Sequence, residues 1–196
     1  MLLRSLLFVP GNRPNMLNKA TGFQPDAFIP DMEDSVPINE KENARNIVAT
    51  HLNQLTDTGS LVIPRVNSID SGLLTHDLEA VVGPYVFGVS VGKIGSALGI
   101  RHVSDILDRL EDKNSIERGS IKLIPWIETA EAIVKAYEIC TSSKRIIGVA
   151  FGAEDFTNDM GIERTENETE VEYPRRSVCI AARAADVLAL DTPYFS

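Results

Sequence analysis

The sequence predicts a parallel α/β fold. Seven short apolar runs recur along its 196 residues. Each is followed by a polar or amphipathic stretch, and the alternation continues without a break in composition. The runs are rich in Val, Ile and Leu and do not alternate strictly, which is how parallel strands covered on both faces read. Strand, helix and strand again imply right-handed crossovers and a parallel sheet.

Leu6–Pro10 (LLFVP) is the first strand, and Pro14 opens and Gly22 closes the helix behind it. Ala27–Pro30 is the second. The clearest helix is Glu40–Leu55, where Ala44, Ile47, Val48, Leu52 and Leu55 share one face. Asn39 as N-cap with Glu42 three residues on reads as a capping box. Leu61–Val66 and Tyr85–Val91 are the third and fourth strands, followed by a helix over Ser104–Leu110. Ile121–Ile127 is the fifth strand. Thr129–Ile139 then sets Ala130, Ile133, Val134 and Tyr137 at helical spacing. Ile146–Phe151 is the sixth strand. Ile162–Glu172, with Glu163, Glu166, Glu168, Glu170 and Glu172, reads as a solvated connection. Ser177–Ala185 is an Ala-rich helix suited to close packing on a sheet, and Val187–Leu190 is the seventh strand. A (β/α) barrel and a doubly wound open sheet both fit this order, although the GxGxxG that a dinucleotide-binding sheet favours after its first strand is absent.

Composition narrows the function classes. With 19 Lys+Arg against 28 Asp+Glu, the net charge of −9 opposes binding to a nucleic-acid backbone. No run approaches the ~20 apolar residues of a membrane span. The N-terminal apolar run is short, is interrupted by Arg4 and ends at Pro10-Gly11, so it reads as a buried strand rather than a signal peptide. Cys140 and Cys179 lack CxxC spacing and read as core or semi-core thiols. Asn167-Glu168-Thr169 matches a glycosylation sequon by chance. The expectation is a cytoplasmic protein with no nucleic-acid or membrane partner.

In a parallel α/β fold the chemistry gathers at the C-terminal ends of strands. Those positions carry Gly11, Asn12 and Arg13; Asp31, Glu33 and Asp34; Arg65 and Asn67; Lys93; Glu128; Glu154 and Asp155; and Asp191 and Thr192. Any one carboxylate there is ordinary, as a helix cap or a salt-bridge partner. Several together repel and call for a neutralising cation. Mg²⁺ suits one or two carboxylates completed by waters and by the oxygens of an anionic substrate. Arginines such as Arg13 and Arg65 suit paired donation to a carboxylate or phosphate. His51, His76 and His102 fall in helical or loop stretches and are not placed for acid–base work.

Five motifs in order, RSLLFVPGNRP from Arg4, DMEDSV from Asp31, RVN from Arg65, IETA from Ile127 and FGAEDF from Phe151, resemble the citrate lyase β-subunit and malyl-CoA lyase branch of the HpcH/HpaI aldolase superfamily. The resemblance runs from residue 4 to about residue 190. It implies a (β/α)8 TIM barrel over a single domain, residues 1–196, that stops after the seventh strand at Ser196, without helix 7, strand 8, helix 8 or the catalytic Asp the family carries there. It implies a Mg²⁺-dependent lyase that cleaves or forms a β-hydroxyacyl thioester, such as citryl-, malyl- or citramalyl-CoA or the acyl-carrier-protein form. The products are an acetyl thioester and an α-keto acid. By the same resemblance Glu128 and Asp155 are the metal ligands and catalytic, and Arg65 is catalytic and binds substrate. Arg13 and Lys19 approach the phosphates of the thioester carrier, and Asp31, Glu33 and Asp34 surround the metal and its waters. The assembly is a homo-oligomer, trimer or hexamer, or a subunit of a lyase complex. Gly92-Lys93 stands where the family often has Pro-Lys. Two other readings are a non-catalytic barrel fragment that binds metal and keto acid, and an aldolase acting on free keto acids. The DxED and RVN pair favours the thioester branch over the latter.

Overall fold

The computed structural model describes residues 2–193, so the expected stop at Ser196 lies outside the described residues. The chain forms two compact units, one of residues up to 90 with 106–122, the other of residues 91–105 with 123 onward.

The first unit holds β1 (Leu6–Pro10), α1 (Pro14–Ala20), β2 (Ala27–Asp31), α2 (Lys41–Thr56), β3 (Leu61–Val62), β4 (Arg65–Val66) and α3 (Leu74–Val81). β1 pairs parallel with β2 from Leu6↔Ala27 to Pro10↔Asp31. β2 pairs in turn with β3, and with β4 through Asp31↔Arg65. β3 and β4 are the single third run, interrupted at Ile63-Pro64 because proline has no N–H for the ladder. The fourth run lies beside the third: Phe87 N donates to Val62 O at 3.0 Å and Ser90 N to Pro64 O at 2.9 Å. The run's regular part is β5 (Gly88–Val91), and α4 (Ala97–Lys113) passes from the second unit into the first at Ile106. Spatial neighbours are thus sequence neighbours. A doubly wound sheet reverses direction from its middle, and the described strands of this unit show no reversal.

α2 buries Ala44, Val48, Leu52 and Leu55, as its spacing predicts. The capping box does not form. Asn39 lies in a 3₁₀ turn, Ile38–Glu40, and the capping position is Glu40, whose side chain makes no cap. The Glu40 carboxylate instead accepts the Asn12 amide at 2.6 Å, so a tertiary contact displaces the local motif.

The second unit holds β6 (Lys122–Ile127), α5 (Ala130–Val134), α6 (Ala136–Cys140), β7 (Gly148–Phe151), α7 (Ala153–Met160), α8 (Thr169–Ala184) and β8 (Leu188–Leu190), with Lys122 itself counted in the first. β6 pairs parallel with β7 through Trp126↔Ala150 and Ile127↔Phe151, and β7 with β8 through Gly148↔Leu188 to Ala150↔Leu190. Three expectations need correction. Thr129–Ile139 is two short helices separated at Lys135, and this break turns Val134 and Tyr137 outward, to 86% and 56% exposure. Ala132, Ala136, Ile139 and Cys140 take the buried face. The last helix begins at Thr169, eight residues before Ser177, with Pro174 inside it and buried. The acidic segment is more than a solvated connection: Arg164 pairs with Glu154 and Glu168, and Arg175 with Glu168 at 3.0 Å and Asp191 at 2.9 Å. Of the two free cysteines, Cys140 is buried, whereas Cys179 is exposed rather than in the core.

Candidate active site

In the first unit the register Asp31↔Arg65 sets an acid and a base side by side at the ends of β2 and β4. Arg65 Nε and Nη2 each donate to one oxygen of Asp31 at 2.7 Å, a bidentate pair. Its Nη1 faces Asp34 Oδ2 at 3.1 Å and Glu33 Oε2 at 3.4 Å. The guanidinium lies over the Phe8 ring, 5.2 Å from its centroid. Asp31 also accepts the backbone N–H groups of Glu33 and Ser35, at 2.9 and 3.0 Å, which folds the DMED turn around it. Burial raises the Asp31 carboxyl, but Arg65 outweighs it and holds the group below its ordinary value. Burial likewise opposes charge on Arg65, and the surrounding acids drive its pKa up instead.

The turn is fixed from outside. Lys41 Nζ donates to the carbonyls of Met32 and Glu33 at 2.9 and 2.6 Å. Burial lowers the Lys41 ammonium, opposed by Asp31, Glu33, Asp34 and Asp77. Asn67 donates to Met32 O at 2.9 Å and to Asp77 at 2.6 Å, and Arg45 completes the other side of the fully buried Asp77 at 2.9 Å. Gly11 N donates to Asp31 O at 2.7 Å, and a Cβ at Gly11 would stand 2.6 Å from that oxygen, so only glycine passes. Arg13 and Lys19 stand exposed, at the start and in the last turn of α1, outside this cluster. Next to Arg13, the buried Asn12 Oδ1 has no hydrogen-bond partner among the described residues.

In the second unit β6 delivers Glu128 at its end, with 2% of the residue exposed. The strand stops because Thr129 caps α5, its side chain accepting Ala132 N at 3.1 Å. Glu128 folds over Gly152: a Cβ there would lie 2.5 Å from Oε1 and 2.6 Å from Cγ. Its Oε2 accepts the backbone N–H of Lys93 at 2.8 Å. Lys93 has φ +56°, a left-handed backbone that is rare without glycine. Asp155, in the first turn of α7, meets Lys93 Nζ at 3.8 Å, with both side chains about a third exposed. Lys93 thus touches both acids, one through its backbone and one through its side chain.

A model of the HpcH/HpaI aldolase/citrate lyase family matches residues 4–196. The chain belongs to that family. Citrate lyase subunit beta of Haemophilus influenzae is 37% identical over 193 residues, 98% of this chain and 66% of that protein. Mitochondrial citramalyl-CoA lyase of Homo sapiens is 28% identical over 201 residues, 97% of this chain and 59% of that protein. The chain spans two thirds or less of the length of these curated relatives. Protein CitE from Mycobacterium tuberculosis, solved in complex with magnesium and pyruvate, is 25% identical with a TM-score of 0.80, over 100% of this chain and 77% of that one. The parallel α/β fold expected from the sequence is shared with that structure.

The structure brings Asp31, Glu33, Asp34 and Arg65 together in one unit, and Glu128 and Asp155 onto Lys93 in the other. Among the described residues no group of three or more His, Cys, Asp or Glu could hold a metal ion by protein ligands alone. Two carboxylates are the donor set for Mg²⁺ when waters and substrate oxygens complete the shell. The cradle over Gly152, which leaves room for the Glu128 carboxylate and for nothing on the glycine, fits that role. Sequence reading held Gly152 only as part of the FGAEDF motif, without its packing role, and passed over Lys41 and Asp77. Gly152 alone left a signal, as a glycine between an apolar strand and an Ala-Glu-Asp helix start.

Proposed function

We propose that this chain carries the catalytic machinery of a Mg²⁺-dependent carbon–carbon lyase. Its substrate is a β-hydroxyacyl thioester, citryl, malyl or citramalyl, carried on CoA or an acyl carrier protein. Its products are an acetyl thioester and an α-keto acid. The observation that carries this reading is the buried Glu128 carboxylate, held over Gly152 and by the Lys93 amide. Family membership, the names of the curated relatives and the magnesium and pyruvate held by CitE support it.

Glu128 and Asp155 hold the metal, which supplies Lewis-acid polarisation of the oxygens on the keto-acid half. In cleavage a general base takes the hydroxyl proton, the C–O bond becomes a carbonyl, the electrons of the broken C–C bond pass to the thioester as its enolate, and a general acid returns a proton to the enolate carbon. Arg65 binds the substrate carboxylate and steadies the developing negative charge. Its Nε–Nη2 edge stays on Asp31, which fixes the plane of the guanidinium. Nη1 is the donor that turns from the half-exposed Asp34 to substrate. Glu33 shares that end of Arg65, and Arg13 and Lys19 receive the carrier's phosphates. The unbroken family match over residues 4–196 supports reading the sequence as one domain. The exposed Val134, Tyr137, Tyr173 and Ile180 support assembly as a homo-oligomer or lyase subunit. No described helix is long and apolar enough to cross a membrane. Two unpaired thiols suit the cytoplasm.

The test is cleavage of malyl-CoA, citramalyl-CoA and citryl thioesters with and without EDTA, by this chain and by one extended to the length of its relatives. EDTA-sensitive release of keto acid from at least one thioester is expected. No release by the extended chain from any of them overturns the reading.

A further inference from the structure

We propose that Lys93 is a positioning residue that prepares both metal carboxylates for a divalent cation and stands in for that cation until it arrives. This rests on the metal role given above to Glu128 and Asp155. Two independent features of one residue carry it. The backbone at φ +56° aims the Lys93 N–H at Glu128 Oε2, 2.8 Å away. Holding a lysine there has a strain cost that a glycine would avoid, and Gly92 and Gly95 lie close by without taking the position. The ammonium of the same residue reaches Asp155 Oδ2 at 3.8 Å. This is an ion pair at long range, and both side chains are part-exposed, so it is weak and exchangeable. The amide that holds the buried acid persists when a cation binds, and the ammonium beside the exposed acid gives way to one.

The two halves separate by substitution. Lys93→Gly keeps the left-handed backbone and its N–H but removes the charge. Lys93→Val also removes the charge, and a β-branched residue does not tolerate that backbone. Lys93→Arg keeps the charge. Mn²⁺ alone is titrated into the 196-residue chain, with the free ion followed by electron paramagnetic resonance, and metal-free melting is recorded beside it. Lys93→Gly is expected to bind Mn²⁺ on the order of tenfold more tightly than wild type, because the like charge beside the ion is gone. Lys93→Val is expected to bind about tenfold more weakly than Lys93→Gly through loss of the amide aim. Lys93→Arg is expected to match wild type. A lysine that serves structure alone would shift the melting temperature and leave Mn²⁺ affinity unchanged. Equal affinity of Lys93→Gly and wild type overturns the stand-in role, and equal affinity of Lys93→Val and Lys93→Gly overturns the backbone role. Glu128→Gln is the control. If it keeps wild-type affinity, the metal assignment falls and this proposal with it. If it loses binding while Lys93→Gly equals wild type, only the proposal for Lys93 falls.

Discussion

Arg65 has its Nε–Nη2 edge closed by Asp31 and its Nη1 end turned to weaker, more exposed partners. Lysine cannot reproduce that fork, so Arg65→Lys is expected to lower kcat/KM for the thioester by on the order of 100-fold. Steady-state kinetics on the responsive substrate check this. Gly152→Ala places a methyl against the Glu128 carboxylate; it is expected to destabilise the fold by about 1–3 kcal/mol and to weaken Mn²⁺ binding, read by denaturation and by ion titration. Asp31 gives a pH dependence. Its folded carboxyl lies below the unfolded value, so its stabilisation is complete above about pH 4 and is lost as pH falls through the folded value. In Asp31→Asn the fall in urea midpoint below that pH should be shallower than in wild type. The thiols should also separate: burial pushes Cys140 up to about 11, so one equivalent per chain, at Cys179, should react quickly with a disulfide reagent at pH 8.

At the scale of elements, the strands were the most legible part of the sequence. Seven apolar runs became the strands, and even the division at Ile63-Pro64 follows from the proline within LVIPRV. Buried parallel strands state themselves because both faces must be apolar. Helices were less legible where tertiary contacts outweigh local pattern. Asn39 offered a capping box that Glu40 and Asn12 override. Thr129–Ile139 kept helical spacing across a break at Lys135, so Val134 and Tyr137 were assigned to the wrong face. α7 was not anticipated: Ala153, Phe156 and Met160 keep helical spacing, but the helix is only eight residues long and is dominated by Glu154, Asp155, Asn158 and Asp159. Thr129 remains a working cap, and Thr129→Ala should destabilise by about 1 kcal/mol in equilibrium unfolding.

On the scale of the whole chain, the acids and the arginine of the candidate site were legible because strand ends collect chemistry in this fold class. What held them was not legible. Asp77, Lys41 and the Lys93 amide act through space on residues 10, 9 and 35 positions away in sequence, across other elements. The division into two units bears on how the molecule comes apart. The sequence contains a single tryptophan, Trp126, buried on β6 and paired with Ala150 of β7, entirely within the second unit. Its emission during denaturation therefore reports one unit, whereas circular dichroism sums the helices of both. Coincident midpoints would make the chain a single cooperative block, and a gap between them would measure how much stability each unit holds alone.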